Sequence, residues 1–229
     1  LAWYDFENVA GNSVPDRNSK YPATLYSGAS ATPFGKYGKG LSIPTTGPNN
    51  NYARMQVNNA LGIEVDGTWT ASVWFKKLYP QGRWRTLFRG QGGNHLPIID
   101  RSSDELGYYD NITGRAWIGT GFQMKPADYQ QWHHFTLVSD RVKTDYYIDG
   151  AHVAWLNQAS QTDVYYIGNY SGDQRFAEVL DDVRVYDRAF DSGEVQQLHL
   201  SGMRTSSTET HTFTLVSGDG DDDNDAFTL

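Results

Sequence analysis

The sequence predicts an all-β protein built as a sandwich or jelly roll of antiparallel strands. Aromatic residues make up 14% of the 229 residues, with 15 Tyr and 7 Trp, and 23 Gly supply turn positions. Runs rich in β-branched and aromatic residues recur between clusters of turn-forming residues. Before Asp191 the sequence has no long segment with the 3.6-residue apolar period of a helix.

This pattern predicts about a dozen strands. In the clearest of them apolar and polar positions alternate, so one face packs on a core and the other meets water. These strands are Trp69–Leu78, Arg85–Arg89, Trp132–Ser139, Asp145–Ile148 and Glu178–Tyr186. The dipeptide Asp149-Gly150 after the fourth of them predicts a two-residue hairpin, because glycine tolerates a positive φ.

A short helix is predicted near the end of the folded region. Asp191 can cap it through a side-chain oxygen, and the apolar residues Val195 and Leu198 follow at helical spacing. The segment after Gly202 is polar and rich in Ser and Thr, as linkers are. We therefore expect one domain over residues 1–203 and an acidic tail over residues 204–229.

Charge and composition exclude several classes of partner. The net charge is −8, but six acidic residues and no Lys or Arg lie from Ser206 onward, which leaves the body at −2. A nearly neutral body without a basic stripe argues against nucleic acid. No stretch approaches the roughly 18 apolar residues that indicate membrane insertion. The absence of cysteine excludes thiol nucleophiles, zinc–thiolate sites and disulfides.

Four stretches, in this order, resemble the concanavalin A-like lectin/glucanase superfamily, and in particular its laminin-G-like domains of bacterial surface proteins. They are Trp3–Glu7 leading to Pro15–Ser19, Gly67–Phe75, Trp132–Val138 with Tyr147–Gly150, and Ile167 through Val195. The resemblance implies a jelly roll of two curved antiparallel sheets packed face to face. The sequence departs from the family pattern at Phe176–Glu178, where such domains commonly carry a glycine.

The C-terminal tail, residues 211–229, resembles a fragment of a bacterial cadherin-like repeat. It is too short to form that fold alone. This resemblance implies that the domain is one module of a long extracellular adhesin, beside neighbouring domains of the same chain.

The sequence lacks the paired carboxylates that a glycosidase of this architecture needs. Such enzymes place two acidic groups roughly 5–10 Å apart across one sheet face. The nearest pair, Asp104-Glu105, occupies adjacent strand positions, whose side chains point to opposite faces. No Gly-x-Ser-x-Gly elbow occurs, and His133-His134 lies in a predicted core strand. We therefore expect no enzymatic activity.

Calcium is the cofactor that the resemblance implies. It would be bound between the closing strand and the opening segment, with Tyr37–Gly40 as a source of carbonyl oxygens. The candidate side-chain ligands are Asp181, Asp16, Asn18 and Glu7. In the alternative interpretation, Asp16 and Asn18 only form turns and Asp181 pairs with Arg184 or another base.

A ligand surface is expected on loops at one rim of the sandwich, because strands hold positions while loops vary. Two segments combine aromatic rings with amide, carboxylate and guanidinium groups, the mixture that sugars require. From them we predict the ligand-binding residues Asp110, Asn111, Arg115, Asn169, Tyr170 and Asp173. Ordinary tyrosine-rich β-surface is the alternative.

Together these expectations describe a non-catalytic, calcium-stabilised, lectin-like adhesion module at the cell surface or outside the cell. We expect it to be monomeric and to recognise a glycan or another cell-surface ligand. Two alternatives stay open: a structural spacer or protein-ligand module of a surface fibre, and an accessory module of a polysaccharide-degrading enzyme.

Overall fold

The computed structural model describes residues 1–44, 52–63, 67–158, 163–170 and 173–204. Within them the chain forms two antiparallel sheets and one α-helix, which confirms the predicted jelly-roll sandwich. The predicted domain boundary falls in the last turn of the helix, while the acidic tail and its cadherin-like segment lie outside the described residues.

Seventeen strands form among the described residues, more than the dozen predicted. They are β1 Ala2–Tyr4, β2 Ser13–Val14, β3 Ala23–Tyr26, β4 Ser30–Thr32, β5 Gly40–Ser42, β6 Arg54–Val57, β7 Thr68–Leu78, β8 Arg85–Thr86, β9 Phe88–Arg89, β10 His95–Ile99, β11 Glu105–Asp110, β12 Ala116–Gln123, β13 Trp132–Asp140, β14 Thr144–Ile148, β15 Ala151–Leu156, β16 Tyr166–Ile167 and β17 Ala177–Tyr186. The additional strands are mostly two to four residues long, too short to show an alternating pattern.

The two sheets have eight and nine strands. The first has the order β15-β14-β13-β7-β17-β5-β4, with β1 also paired to β17. The second has the order β12-β11-β10-β9-β16-β6-β3-β2, with β8 also paired to β10. Strands distant in sequence are therefore neighbours in space, as jelly-roll topology requires.

The core lies between the inner faces of the two sheets. Phe176, the first residue of the segment Phe176–Glu178 that departs from the family pattern, is fully buried there, with its ring centroid 5.2 Å from that of Phe75 and 6.4 Å from that of Phe135. Its amide donates to the carbonyl of Gly168, and the closing strand β17 begins one residue later. The departure from the family pattern thus places a core side chain at this point.

The helix α1, Ser192–Arg204, covers the outer face of the eight-stranded sheet. Its first turn forms a capping box: Asp191 Oδ1 accepts from the Glu194 amide at 2.8 Å, and Glu194 Oε2 accepts from the Asp191 amide at 3.0 Å. Val195 packs against Val138 and Tyr147 on the sheet. The helix therefore covers the part of this face formed by β13 and β14.

The predicted hairpin is confirmed between β14 and β15. Asp149 and Gly150 have φ values of 52° and 78°, the two positive values that a type I′ turn requires. The Asp149 carboxylate accepts from the His134 amide at 2.8 Å and contacts His133 Nδ1 at 2.6 Å. These contacts tie the hairpin to β13.

Candidate ligand-binding cleft

The outer face of the nine-stranded sheet carries a row of polar and aromatic side chains. Tyr166, Arg89, His95, Tyr109 and Trp117 are successive cross-strand partners on β16, β9, β10, β11 and β12. The residues next to them in sequence, such as Phe88 and Tyr108, point into the core. Alternation within each strand and register between strands therefore assemble this row.

A cleft of about 360 Å³ lies on this row. The side chains that line it carry aromatic rings, an aliphatic group, amides, an imidazole and a guanidinium group. None of the described residues that line it is acidic. The lining residues are Trp84, Arg89, His95, Ile98, Tyr109, Asn111, Tyr170 and Gln174.

Three aromatic rings form one wall of the cleft and its surroundings. The Trp84 ring lies 5.4 Å from Tyr109, edge to face, and 5.3 Å from Trp117. Gly107 of β11 pairs with Gly119 of β12 and lies under the Trp117 ring, where a Cβ atom would be 2.5 Å from Trp117 Cη2. A side chain at residue 107 would collide with this ring and with the backbone oxygen of Ile118.

A chain of hydrogen bonds fixes the polar groups on the floor of the cleft. Arg89 Nε donates to His95 Nε2 at 3.2 Å, which assigns the proton of the neutral imidazole to Nδ1. His95 Nδ1 then donates to Thr86 Oγ1 at 2.9 Å, and Thr86 Oγ1 donates to Gln174 Oε1 at 3.0 Å. Burial, together with the charge of Arg89, lowers the pKa of His95 to about 3, so the imidazole stays neutral.

The predicted ligand residue Asn111 lies in the cleft, within a turn that the Asp110 carboxylate stabilises. The buried Asp110 carboxylate accepts from the amides of Ile112 and Thr113 at 3.0 and 2.9 Å and from the Thr113 hydroxyl. Burial by itself would raise the pKa of Asp110, but these hydrogen bonds lower it. Asn94 Oδ1 also accepts from the Asn111 amide at 2.7 Å.

Tyr170 is the second predicted residue that lines the cleft. Its amide donates to Oδ1 of the buried Asn169 at 2.7 Å. Its ring lies 3.6 Å from Arg89 Cζ and 5.4 Å from the His95 ring. Asn169 therefore acts on the cleft through the backbone of Tyr170.

The other two predicted ligand residues lie outside the cleft lining. Arg115 is exposed and donates to Gln158 Oε1 at 2.9 Å. The carboxylate of Asp173 forms ion pairs with Arg83 and Arg175.

Sequence reasoning missed most of the cleft, including Trp84, Arg89 and His95. Alternation within Arg85–Arg89 does not decide the face of Arg89, because the adjacent residues Leu87 and Phe88 are both buried in the core. Which outward residues on other strands stand beside it depends on the cross-strand register, which no local pattern in the sequence reports.

The four predicted calcium ligands form two separate groups. Glu7 Oε1 accepts from the Lys39 amide at 2.8 Å, and Asp181 Oδ2 accepts from the Tyr37 amide at 2.9 Å, so both reach the same loop. Asp16 and Asn18 instead lie beside the opening strand, where Asp16 Oδ1 accepts from the amides of Trp3 and Asn18. Among the residues that the structure describes, no three acidic or histidine side chains cluster as a metal site.

Asp16 forms a turn in the way the alternative interpretation describes. In addition to the two amides at Oδ1, its Oδ2 accepts from the amides of Lys20 and Tyr21 at 3.1 and 3.0 Å. Burial raises the pKa of Asp16, but the four backbone hydrogen bonds outweigh it and lower the pKa. Arg184 pairs with Asp182, at 3.0 Å, rather than with Asp181.

The fold and the cleft together define a class: a two-sheet jelly-roll domain that presents an aromatic and polar cleft on the outer face of one sheet. A laminin-G-type family model, described as the concanavalin A-like lectin/glucanases superfamily, matches residues 49–196. The chain belongs to this superfamily.

Solved structures with the same fold include three proteins at low sequence identity. Domain 4 of AbnA, a GH43 extracellular arabinanase from Geobacillus stearothermophilus in complex with arabinotriose, is 18% identical, with a TM-score of 0.65 over 86% of this chain and 97% of that chain. Trypanosoma rangeli sialidase in complex with the inhibitor DANA is 13% identical, with a TM-score of 0.63 over 87% of this chain and 32% of that chain. The binding domain of botulinum neurotoxin DC in complex with SialylT is 13% identical, with a TM-score of 0.64 over 88% of this chain and 51% of that chain.

At these identities the likeness shows the fold alone. A comparison with curated proteins finds no match. Among the described residues, no helix has the length and apolar character needed to cross a membrane.

Proposed function

We propose that this domain binds glycans through the cleft on the outer face of its nine-stranded sheet, without catalysing a reaction. The observation that carries the proposal is the composition of the cleft: the rings of Trp84, Tyr109 and Tyr170 stand beside the planar polar groups of Asn111 and Gln174. Aromatic faces cover the C–H surface of a sugar, and planar amides bind its hydroxyls.

The similar structures support this proposal, since they include an arabinanase domain solved with arabinotriose and a neurotoxin binding domain solved with SialylT. The polar groups of the cleft are also held in place before a ligand arrives, by the hydrogen bonds from Arg89 through His95 to Thr86 and Gln174. Such preorganisation reduces the entropy lost on binding.

The absence of catalysis is proposed from the acidic groups near the cleft. Asp104 is paired with the buried Arg85, and Glu105 Oε1 accepts from the Gly121 amide at 2.6 Å. The Asp110 carboxylate is bound by the turn that follows it. No acidic residue is found among the described residues lining the cleft, whereas glycoside hydrolysis requires two acidic groups that face the sugar.

Replacing Trp84 with alanine should weaken glycan binding at least tenfold, because aromatic anchors contribute about 2 kcal/mol or more to a binding site. A glycan array first identifies a saturable ligand, which is then titrated calorimetrically against both variants. The matched control is Trp155→Ala: Trp155 is 55% exposed, but it lies on β15 of the other sheet. Equal affinities of the two variants would contradict the assignment of the cleft, and no saturable glycan at all would favour a spacer or protein-ligand module.

We also propose that the domain binds calcium at the Tyr37–Lys39 loop, through Asp181 and Glu7. Asp181 is 1% exposed, and burial raises the pKa of its carboxyl to about 7. Its carboxylate accepts hydrogen bonds from the amides of Asp182 at 2.7 Å, of Tyr37 at 2.9 Å and of Lys36. A buried carboxylate supplies the hard oxygen ligands that calcium prefers, and Asp181 accepts fewer backbone hydrogen bonds than Asp16, which accepts four.

Calcium should raise the melting temperature of the wild type, since an ion that binds only the native state stabilises it by about 2.7 kcal/mol at a hundredfold excess over its dissociation constant. The increment should shrink in Asp181→Asn. Asp16→Asn should lower stability equally with calcium and with chelator, and so keep the increment. Identical melting curves of the wild type in calcium and in chelator would remove the calcium site.

We also propose that the domain acts outside the cell. The resemblance to laminin-G-like domains of surface proteins, and of the tail to a cadherin-like repeat, supports an extracellular adhesin in which this domain is one monomeric module.

A further inference from the structure

Two arginines share the outer face of the nine-stranded sheet with a ladder of tyrosine rings. Arg54 Cζ lies 5.1 Å from the ring centroid of Tyr26 and 4.7 Å from that of Tyr166. Arg89 Cζ lies 5.6 Å from the same Tyr166 ring and 3.6 Å from that of Tyr170. The two cations therefore flank one tyrosine, and the row leads directly into the cleft.

Neither guanidinium has a carboxylate partner among the described residues. Arg54 donates to the carbonyl of Tyr52 at 3.1 Å and to Gln56 Oε1 at 3.4 Å, and its Nε is buried without a partner. Arg89 donates to His95 Nε2 and to the carbonyl of Gly90. All these acceptors are neutral.

Most arginines whose side chains the structure describes do have an acidic partner. Six of them form ion pairs with an Asp or Glu: Arg17, Arg83, Arg85, Arg175, Arg184 and Arg188. Three others without an acidic partner among the described residues, Arg101, Arg115 and Arg141, are exposed, whereas Arg54 and Arg89 are partly buried. Unpaired charge that is partly removed from water thus lies on Arg89, in the cleft, and on Arg54, beside the Tyr166 ring.

Like charges near one ring repel each other, and the partial burial of these two guanidinium groups costs solvation energy. The tyrosine faces return part of this cost through cation–π interactions. An anionic group bound to Arg89 would supply a counter-charge in the cleft, and arginine suits carboxylates and sulfated or phosphorylated groups because of its planar fork of donors. Arg54, near the same Tyr166 ring, adds to the positive potential that such a group meets.

We infer that the cleft takes an acidic saccharide, with its carboxylate or sulfate group at Arg89 and its sugar ring against the aromatic side chains. The inference rests on the proposed glycan-binding function and narrows its ligand class. The neutral His95 contributes a rigid contact to Arg89 and no charge of its own.

The test uses the full chain on an array that holds neutral, carboxylated and sulfated glycans, followed by titration of the strongest binder. Acidic glycans should dominate the array, and which of the two acidic classes binds identifies the anionic group. Affinity should fall at least tenfold between about 0.1 M and about 1 M NaCl, over which the Debye length drops from about 10 Å to about 3 Å.

Arg89→Gln should lose about tenfold or more in affinity for that binder and most of the salt dependence, while Arg89→Lys, which keeps the charge, should retain both in part. Arg54→Gln should show a smaller loss in the same direction. The control Arg115→Gln removes an exposed charge outside the cleft and should bind as the wild type does.

These measurements can contradict the acidic ligand without contradicting glycan binding by the cleft. Saturable binding of neutral glycans that is lost in Trp84→Ala but kept in Arg89→Gln would overturn the acidic ligand and leave the glycan-binding cleft standing. The absence of saturable binding to any glycan would overturn both. A thermal melt of each variant shows whether a loss of affinity reflects unfolding.

Discussion

Replacing Asp104 with asparagine is expected to lower the free energy of unfolding by about 3 kcal/mol, because removing one partner of a buried ion pair leaves an uncompensated charge. The Arg85 side chain is 0% exposed, and its Nη2 lies 2.6 Å from Asp104 Oδ1. Burial lowers the pKa of Arg85, while the hydrogen bond and the charge of Asp104 raise it. Asp104 therefore stabilises the charged form of Arg85 in the core. Asparagine retains the shape and accepts the positive φ of 60° at this position.

Urea denaturation measures this loss. The matched control is Asp5→Asn, which breaks the more exposed pair with Arg17 at 3.3 Å and should cost less than about 1 kcal/mol. Equal losses in the two variants would contradict the larger contribution to stability expected of the buried Arg85–Asp104 pair. Because Trp84 immediately precedes Arg85, Asp104→Asn should also weaken glycan binding at the cleft.

Acidification is expected to destabilise the protein strongly, with the buried His134 as a main cause. Burial, followed by the charges of His199 and Arg184, lowers the pKa of His134 from 6.5 to about 3. Below about pH 6.5 the unfolded chain therefore binds a proton that the folded chain does not. This contribution to stability is complete above the unfolded pKa and is lost as the pH falls toward about 3, on the order of 3 kcal/mol by about pH 4.

Two other buried groups change protonation over the same pH range, and the direction of each effect on stability follows from its pKa shift. His95, whose pKa is about 3 for the same reason, adds to the loss. Asp181, whose pKa burial raises to about 7, opposes it: its contribution is present below the unfolded pKa of 3.8 and is lost as the pH rises through about 7. One such carboxyl offsets one histidine, so the net effect of acid remains destabilising.

The free energy of unfolding of His134→Phe, measured across this pH range, should depend less steeply on pH than that of the wild type. The ring of His134 forms a triangle with those of Trp74 and His199, with centroids 4.9 and 5.6 Å away, so an aromatic ring fits its place. His152→Phe replaces a histidine that is 42% exposed and serves as the control. An unchanged pH dependence in His134→Phe would assign the acid sensitivity to other groups.

The same helix that buries His134 covers part of one sheet. Helix α1 packs on the outer face of the eight-stranded sheet, where its Gly202 approaches Trp74 so closely that a Cβ atom would be 2.9 Å from Trp74 Nε1. The aromatic and polar cleft lies on the outer face of the nine-stranded sheet.

Only part of the candidate site could be predicted from the sequence. Asn111 and Tyr170 were predicted and line the cleft, and their neighbours Asp110 and Asn169 hold them in position. Arg115 was chosen for its chemistry alone and lies outside the cleft. Local sequence shows which groups suit a sugar, but not which of them converge.

The sequence by itself determined the fold class, the long strands, the Asp149-Gly150 hairpin and the capped helix, because alternation, turn chemistry and capping are properties of neighbouring residues. Only the tertiary structure decided that Arg89 stands beside Tyr166 and His95. These contacts join strands separated by many residues, and their register is set by how two whole sheets pack on a shared core.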